Sequence, residues 1–270
     1  MSDTAAHKTK SSSQAESDDA FLGGRLRIVQ PENGYRAGLD GVLLAATVEA
    51  SAGARVLDVG AGVGVVGLCV AHRLAGVHVT LIERDARLAA LARRNVERNG
   101  FGARAHVIEA DVLQPLGASP ELAAAAESFD HAVSNPPFLV EGRGTLSGDP
   151  VKARANAMSE GALDRWARFM AAMLRPGGGL AMIHRAEALP EIFPALAGRF
   201  GGVVILPLYA REGQPAFRVL VAAVKGSRAP MELRPGLTLH EADGSFRPGI
   251  AAVLRDGAEL LLRGNPSYNA

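Results

Sequence analysis

The sequence predicts an α/β fold, a doubly wound, seven-stranded and mostly parallel sheet finished by an antiparallel hairpin. Three observations carry this expectation. From residue 54 to about residue 200, short apolar runs alternate with helix-length segments, the pattern of parallel strands joined by crossover helices on both faces. The first of these runs ends in the glycine-rich turn Gly60-Ala61-Gly62-Val63-Gly64, and ligands of such sheets bind beyond the carboxyl ends of the strands. The last two runs, 203–209 and 217–224, are separated only by residues 210–216. That link is too short for a crossover helix, so the two strands pair antiparallel.

The first 20 residues are polar, rich in Ser, Lys and Asp, and read as a disordered tail. Residues 25–30 alternate apolar and polar as a short strand does. A turn-rich link, 31–34, leads into Tyr35-Arg36-Ala37-Gly38-Leu39-Asp40 and a helix over 42–48, with Asp40 placed to cap it. Strands follow at 55–59, 77–82, 106–110, 129–134 and 180–184. Between them helices are expected from the glycine turn to about 74, over 85–99 with Gly100 as terminator, and over 159–174. Pro176 and three glycines stop the last of these, and a further helix is expected over 187–200. Residues 21–228 thus form one domain, and residues 229–270 an extension with Pro-Gly pairs, one helix-like stretch at 249–254, and no assignable chemistry.

Composition narrows the function. A chain of 270 residues buries one substantial core. A net charge of +1 gives no overall positive field, so contact with nucleic acid must rest on a local basic patch. One cysteine, Cys69 in an apolar stretch, excludes an internal disulfide, and the scattered histidines form no ligand spacing, so no metal is expected. No apolar run reaches the roughly 18 residues of a membrane span, and the N-terminus lacks a signal-peptide core, so the expected setting is the cytoplasm.

The glycine turn follows Val56-Leu57-Asp58-Val59. Gly60, Gly62 and Gly64 let the backbone approach a ligand, and the helix behind them offers unpaired N–H groups. Glu83, about 20 residues on, ends the second strand where a carboxylate can accept both hydroxyls of a ribose. Asp111 follows the third strand, placed for an adenine amino group or for capping the next stretch. Asp58 is placed to hold the N–H groups of the turn. These features indicate an adenosine-containing cofactor and leave its identity open, because Gly62, Gly64 and Gly67 also satisfy the dinucleotide fingerprint.

Asn135-Pro136-Pro137-Phe138 closes the fourth strand. Two prolines cannot continue a ladder, and the first drives Asn135 out of the helical region. The exit is stiff and presents an amide, the Pro136 carbonyl and an aromatic ring. An exocyclic amine such as adenine N6 is a poor nucleophile because its lone pair is delocalised. Two acceptors, the Asn135 side-chain oxygen and the Pro136 carbonyl, can hold both N–H bonds and free that lone pair for in-line methyl transfer, while Phe138 stacks on the base with Pro137 beside it. Such stacking contributes about 1–3 kcal/mol.

Taken in order, the glycine turn, Glu83, Asp111 and Asn135-Pro136-Pro137-Phe138 resemble the amino-methylating branch of the class I methyltransferases. More closely, over residues 20–230 and including Tyr35 to Leu44, the chain resembles bacterial tRNA1(Val) adenine-N6 methyltransferases. The resemblance implies S-adenosylmethionine as cofactor, RNA with tRNA favoured as partner, and adenine N6 as target. It adds Arg36 and Asp40 to the cofactor residues, because the entry segment of that family folds over the cofactor, and Asn135 counts with them too. Asp58 then reaches the methionine ammonium through water. Arg143, Lys152 and Arg154, in a polar stretch after the Asn-Pro-Pro-Phe motif, are the expected phosphate contacts, with Phe21, Arg25, Arg27, Lys225 and Arg228 as lesser ones. Methylation of a release-factor glutamine and of guanine N2 in ribosomal RNA are the rivals, since both use the same motif; an NAD-dependent oxidoreductase leaves that motif unexplained.

Overall fold

The computed structural model describes residues 15–33, 36–137, 139–140, 157–158 and 161–263. An antiparallel hairpin comes first, β1 (Glu16–Phe21) with β2 (Leu26–Pro31). Helix α1 (Leu39–Ala46) leads to β3 (Arg55–Val59), α2 (Val65–Arg73), β4 (His78–Glu83), α3 (Ala86–Arg98) and β5 (Ala105–Glu109). A short α4 (Pro120–Ala124) precedes β6 (Phe129–Ser134), after which β7 (Leu139–Val140) and β8 (Ala157–Met158) pair with each other. Then come α5 (Ala162–Met173), β9 (Leu174–Arg185), α6 (Leu189–Leu196), β10 (Phe200–Tyr209) and β11 (Ala216–Lys225). Two-residue strands β12 (Glu232–Leu233) and β13 (Leu237–Thr238) and helix α7 (Pro248–Asp256) complete the described chain.

The main sheet runs β12-β10-β11-β9-β6-β3-β4-β5, with β13 also on β10. Its seven long strands are those expected, parallel except for β11, which lies antiparallel between β9 and β10. Apolar side chains alternate along β3, so Val56 enters one core while Leu57 and Val59 enter the other. The first core is covered by α1, α2, α3, α7 and the hairpin, the second by α4, α5 and α6. This is the class I methyltransferase fold. Strand order reverses between β3 and β6, and the crevice at such a reversal is where ligands of these sheets bind.

Several elements differ from expectation. Glu16 to Phe21 lie within the stretch expected to be a disordered tail, yet they form β1, whose acids meet arginines: Glu16 pairs with Arg94, Asp18 with Arg27 and Arg98, and Asp19 with Arg36. Asp40 does not cap α1. Gly38 holds the cap position, and Asp40 lies in the first turn with its carboxylate 2.8 Å from Arg218. Helix α5 ends at Met173, and the Pro-Gly-Gly-Gly run lies near the start of β9 at a register shift against β6, where β9 carries three extra residues between the pairs Phe129–Leu174 and His131–Gly179. The helix expected to Phe200 stops at Leu196, and Phe200 already begins β10. Residues after 228, expected as an extension of no assigned role, contribute Leu237, Leu239, Ile250, Val253, Leu260 and Leu262 to the first core. Arg73 binds this segment to the domain, donating to Ala45 O, Val48 O and Gly257 O.

Candidate cofactor and catalytic site

Register brings the site together. Val59 of β3 lies beside Ser134 of β6, and Ile82 beside Val59 on the other flank. Gly60 and Asn135 therefore leave the sheet from neighbouring strands, which stand about 4.8 Å apart. Glu83 lies beside Glu109 at the ends of β4 and β5. Asp58, the glycine turn, Glu83, Asp111 and the Asn-Pro-Pro exit thus line the carboxyl edge of the sheet.

The turn is gripped from both faces. On the first face, Asp58 Oδ2 accepts the Gly67 N–H at 2.8 Å, joining β3 to the first turn of α2 rather than to the glycine turn itself. Glu83 accepts Gly62 N–H at 2.8 Å and Asp85 N–H at 2.9 Å, so the carboxylate is fixed by the turn it faces. Acceptor capacity remains on its oxygens. Asn95, fully buried on α3, donates to Val63 O at 3.0 Å and pairs with both N–H and C=O of Val29 on β2. One helical turn later Asn99 does the same for Arg27. Residues four apart on a helix rise about 6 Å, close to the two-residue step of a strand. The two amides thereby complete the free edge of β2 as a third strand would. On the second face, the Trp166 indole covers Gly60, whose φ is +71°; a Cβ there would lie 2.7 Å from Trp166 Cζ2. Trp166 Nε1–H donates to Ser134 Oγ at 2.8 Å, and Ser134 Oγ–H donates to Val59 O at 2.8 Å.

The electrostatics separate the two cofactors that the turn alone leaves open. Burial pushes the Asp58 carboxyl up to about 7, against the Gly67 N–H bond that lowers it, with the nearby Glu83 charge raising it further. Burial raises Glu83 as well, above what its bonds to the Asp85 and Gly62 N–H groups restore. Neither carboxylate has an arginine or lysine partner among the described residues, and Asp58 Oδ1 is buried without a hydrogen bond there. Buried acids lacking a cation favour a ligand that brings one. S-adenosylmethionine, with its ammonium and sulfonium, fits this site; a dinucleotide pyrophosphate would add negative charge to it.

At the second exit, Asn135 and Pro137 are half-buried and Pro136 is buried. Phe138, Arg143, Lys152 and Arg154 lie outside the described residues. Asp111 Oδ1 accepts Leu113 N–H at 2.9 Å within a turn that opens no helix for it to cap, and the carboxylate keeps its place after β5. Arg36 and Asp40 are engaged within the protein: Arg36 pairs with Asp19 at 2.6 Å, and Asp40 with Arg218. Arg25 and Arg27 are held by Asp256 and Asp18, and Lys225 by Glu127 at the opposite, amino end of β6. His184 is buried at the end of β9, and burial lowers its imidazole to about 4, a neutral structural residue. Among the described residues no helix is long and apolar enough to cross a membrane. No group of His, Cys, Asp and Glu among them is placed to hold a metal ion.

No local sequence motif singles out Trp166, Ser134 or Asn95. Trp166 lies on the apolar stripe of α5 and reads as core. Asn95 carried a signal, since it sits among Ala89, Ala92 and Val96 on the buried stripe of α3, where an amide must find partners.

Fold, crevice and buried acids define an S-adenosylmethionine-dependent methyltransferase. The chain belongs to the methyltransferase small domain family, whose model matches residues 38–206. It is 31% identical over 215 residues to a tRNA1(Val) (adenine(37)-N6)-methyltransferase of Aeromonas hydrophila, covering 78% of this chain and 85% of that one. The enzyme of the same name from Yersinia pestis is 28% identical over 225 residues, 82% of this chain and 86% of that one. Among solved structures, one from Agrobacterium tumefaciens described as a predicted O-methyltransferase superposes with a TM-score of 0.70 at 35% identity, covering 84% of this chain and all (100%) of that one.

Proposed function

We propose that the protein methylates an exocyclic amine, adenine N6 in a tRNA loop. The observation that carries this reading is the Asn-Pro-Pro exit of β6 alongside the cofactor turn of β3, at the reversal point of the sheet. The relatives named above, which carry the name of this activity, support it. Bound at the turn, the cofactor supplies an electrophilic methyl group on a sulfonium. Glu83 holds the ribose hydroxyls with its remaining acceptor capacity, Asp111 the adenine amino group, and Asp58 the methionine ammonium through water. Asn135 accepts one N–H of the target amine and the Pro136 carbonyl the other, which turns the nitrogen lone pair toward the methyl. Phe138 and Pro137 flank the base plane. Orientation supplies much of the rate gain, and because the acceptors demand N–H donors, a uracil is rejected. A base paired in a helix would first have to be flipped out, whereas loop bases are already accessible.

Arg143, Lys152 and Arg154 are assigned to RNA phosphates, with Arg36 and Asp40 covering the cofactor once their present ion pairs exchange. Phosphate contacts make affinity fall as salt rises, so replacing the three basic residues by alanine should flatten that slope without changing cofactor affinity. The test of the whole reading is nucleoside mass spectrometry of tRNA from a strain lacking the gene. One N6-methyladenosine should be missing. An unchanged tRNA profile with an unmethylated release-factor glutamine, or a missing ribose O-methyl, would move the activity to a different acceptor.

A further inference from the structure

We infer that Trp166 is a positioning residue for methyl transfer, acting through Ser134 to set the gap between the cofactor turn and the Asn-Pro-Pro exit. The inference rests on the reading of Asn135 as the amine-holding group. Gly60 and Asn135 are the first residues beyond the paired ends of β3 and β6, where the chain divides toward cofactor and substrate. Among the described residues no ladder pair joins the two strands past Val59 and Ser134. The indole bridges the division. Its ring lies on Gly60, close enough that any Cβ there would displace it. Its N–H fixes the hydroxyl of Ser134, which in turn holds Val59 O. Ser134 is fully buried and Trp166 nearly so, at 0% and 7% exposure, so neither bond exchanges freely with water. The hydroxyl donates once and accepts once, a polarised chain in which each bond strengthens the other.

This chain has a helix behind it. Trp166 stands in the second turn of α5, which packs against β6 and β9 and contributes Phe169, Met170 and Met173 to the second core. The helix therefore holds the exit residue and the turn residue with a single rigid side chain. In-line displacement is sensitive to such spacing, with misplacement by about 1 Å costing on the order of 10²-fold in rate. A slackened bridge should therefore lower kcat while the turn still binds cofactor through Glu83 and Asp58.

Two conservative variants test this. Trp166→Phe keeps a ring on Gly60 and removes the N–H donor. Ser134→Ala removes the acceptor and leaves a buried indole N–H unpaired, the more damaging change. With RNA as acceptor, Trp166→Phe should lower kcat by about tenfold and Ser134→Ala by at least as much, a fraction of the loss that full misplacement brings. The affinity for S-adenosylhomocysteine by calorimetry should stay close to that of the wild type. The double variant should be no slower than Ser134→Ala, because the two residues act as one unit. Deuterium uptake by the peptide spanning residues 131–140, measured with S-adenosylhomocysteine bound, should rise in both single variants. Wild-type kcat and wild-type exchange in both variants, losses that multiply in the double, or a loss of cofactor affinity as large as the loss of kcat would each overturn the inference. If the wild type transfers no methyl to RNA, the substrate reading fails, and the exchange measurement alone decides the role of Trp166.

Discussion

The two strand exits that meet in the crevice are built in opposite ways. The exit of β3 works by what it lacks: Gly60, Gly62 and Gly64 carry no side chain, and the side chains that hold the turn, Glu83, Asn95 and Trp166, come from β4, α3 and α5. The exit of β6 works by what it presents, an amide and a carbonyl on a backbone stiffened by two prolines. The first holds a cofactor with groups that exist before and after reaction. In the proposed reaction the second touches an amine whose charge changes during transfer. Binding and chemistry are thus separable in this molecule, and substitutions at the two exits should separate them.

The largest effect belongs to the second exit. Asn135→Ala should lower kcat by about 10²–10³, the usual cost of losing a hydrogen bond to developing charge, with cofactor affinity by calorimetry unchanged. Comparable losses in both quantities would merge the two exits into one site. At the first exit, Glu83→Ala leaves the N–H groups of Gly62 and Asp85 without their acceptor and removes the proposed ribose contact. The two ribose hydroxyl bonds proposed for it, at about 1–1.5 kcal/mol each, imply cofactor binding weaker by more than about tenfold, while kcat at saturating cofactor stays near wild type.

Asp58 sharpens the comparison through pH. Its folded-state value of about 7 lies above the ordinary 3.8. The native protein therefore holds a proton that the unfolded chain has lost, and the stability of the cofactor-free protein falls as pH climbs from about 4 through about 7. Affinity for a cationic ligand should move the other way, rising through the same upper range as the carboxyl ionises, by up to about tenfold per pH unit below the midpoint. Asp58→Asn should flatten both curves. Calorimetric titrations at a series of pH values check the second, and a pH-independent affinity in the wild type would remove Asp58 from the cofactor's charge balance.

How much of this was legible in the sequence depends on the range of the contacts. The seven long strands announce themselves as apolar runs between amphipathic helices, and Asp85 and Gly100 bracket α3 in plain sight, with Asp85 accepting the N–H groups of Arg87 and Leu88. Strand β1 is hidden because Glu-Ser-Asp-Asp has the composition of a solvated tail; its carboxylates become strand-compatible only when Arg94 and Arg98 of α3 arrive from about 80 residues away. The segment after residue 228 is hidden for a similar reason, since its buried leucines are too widely spaced to show a period. At the site, the glycines, Glu83 and the Asn-Pro-Pro exit are local motifs that sequence displays. Trp166 and Asn95 act across the fold, and only the packing of α5 and α3 reveals what they touch.

The smallest effects separate buried from exposed support for the cofactor turn. Asn95→Ala strips hydrogen-bond partners from Val29 and Val63 and should destabilise the protein by about 1–3 kcal/mol in denaturant unfolding. Asp18→Asn removes exposed pairs with Arg27 and Arg98, whose guanidinium groups, Arg27 foremost, hold that carboxyl below its ordinary range. It should leave the melting temperature almost unchanged and kcat untouched, because exposed pairs contribute little and are screened by salt. A larger loss from Asp18→Asn than from Asn95→Ala would mean that the hairpin is held by charge.

The most direct test of amine methylation uses purified protein, S-adenosylmethionine labelled on the methyl group, and unmodified tRNA, followed by digestion to nucleosides. Transfer between the exits of β3 and β6 to an amine held by Asn135 predicts label in N6-methyladenosine, abolished to background in Asn135→Ala. Label in a ribose O-methyl group, or label in N6-methyladenosine that survives Asn135→Ala at the wild-type rate, would contradict it.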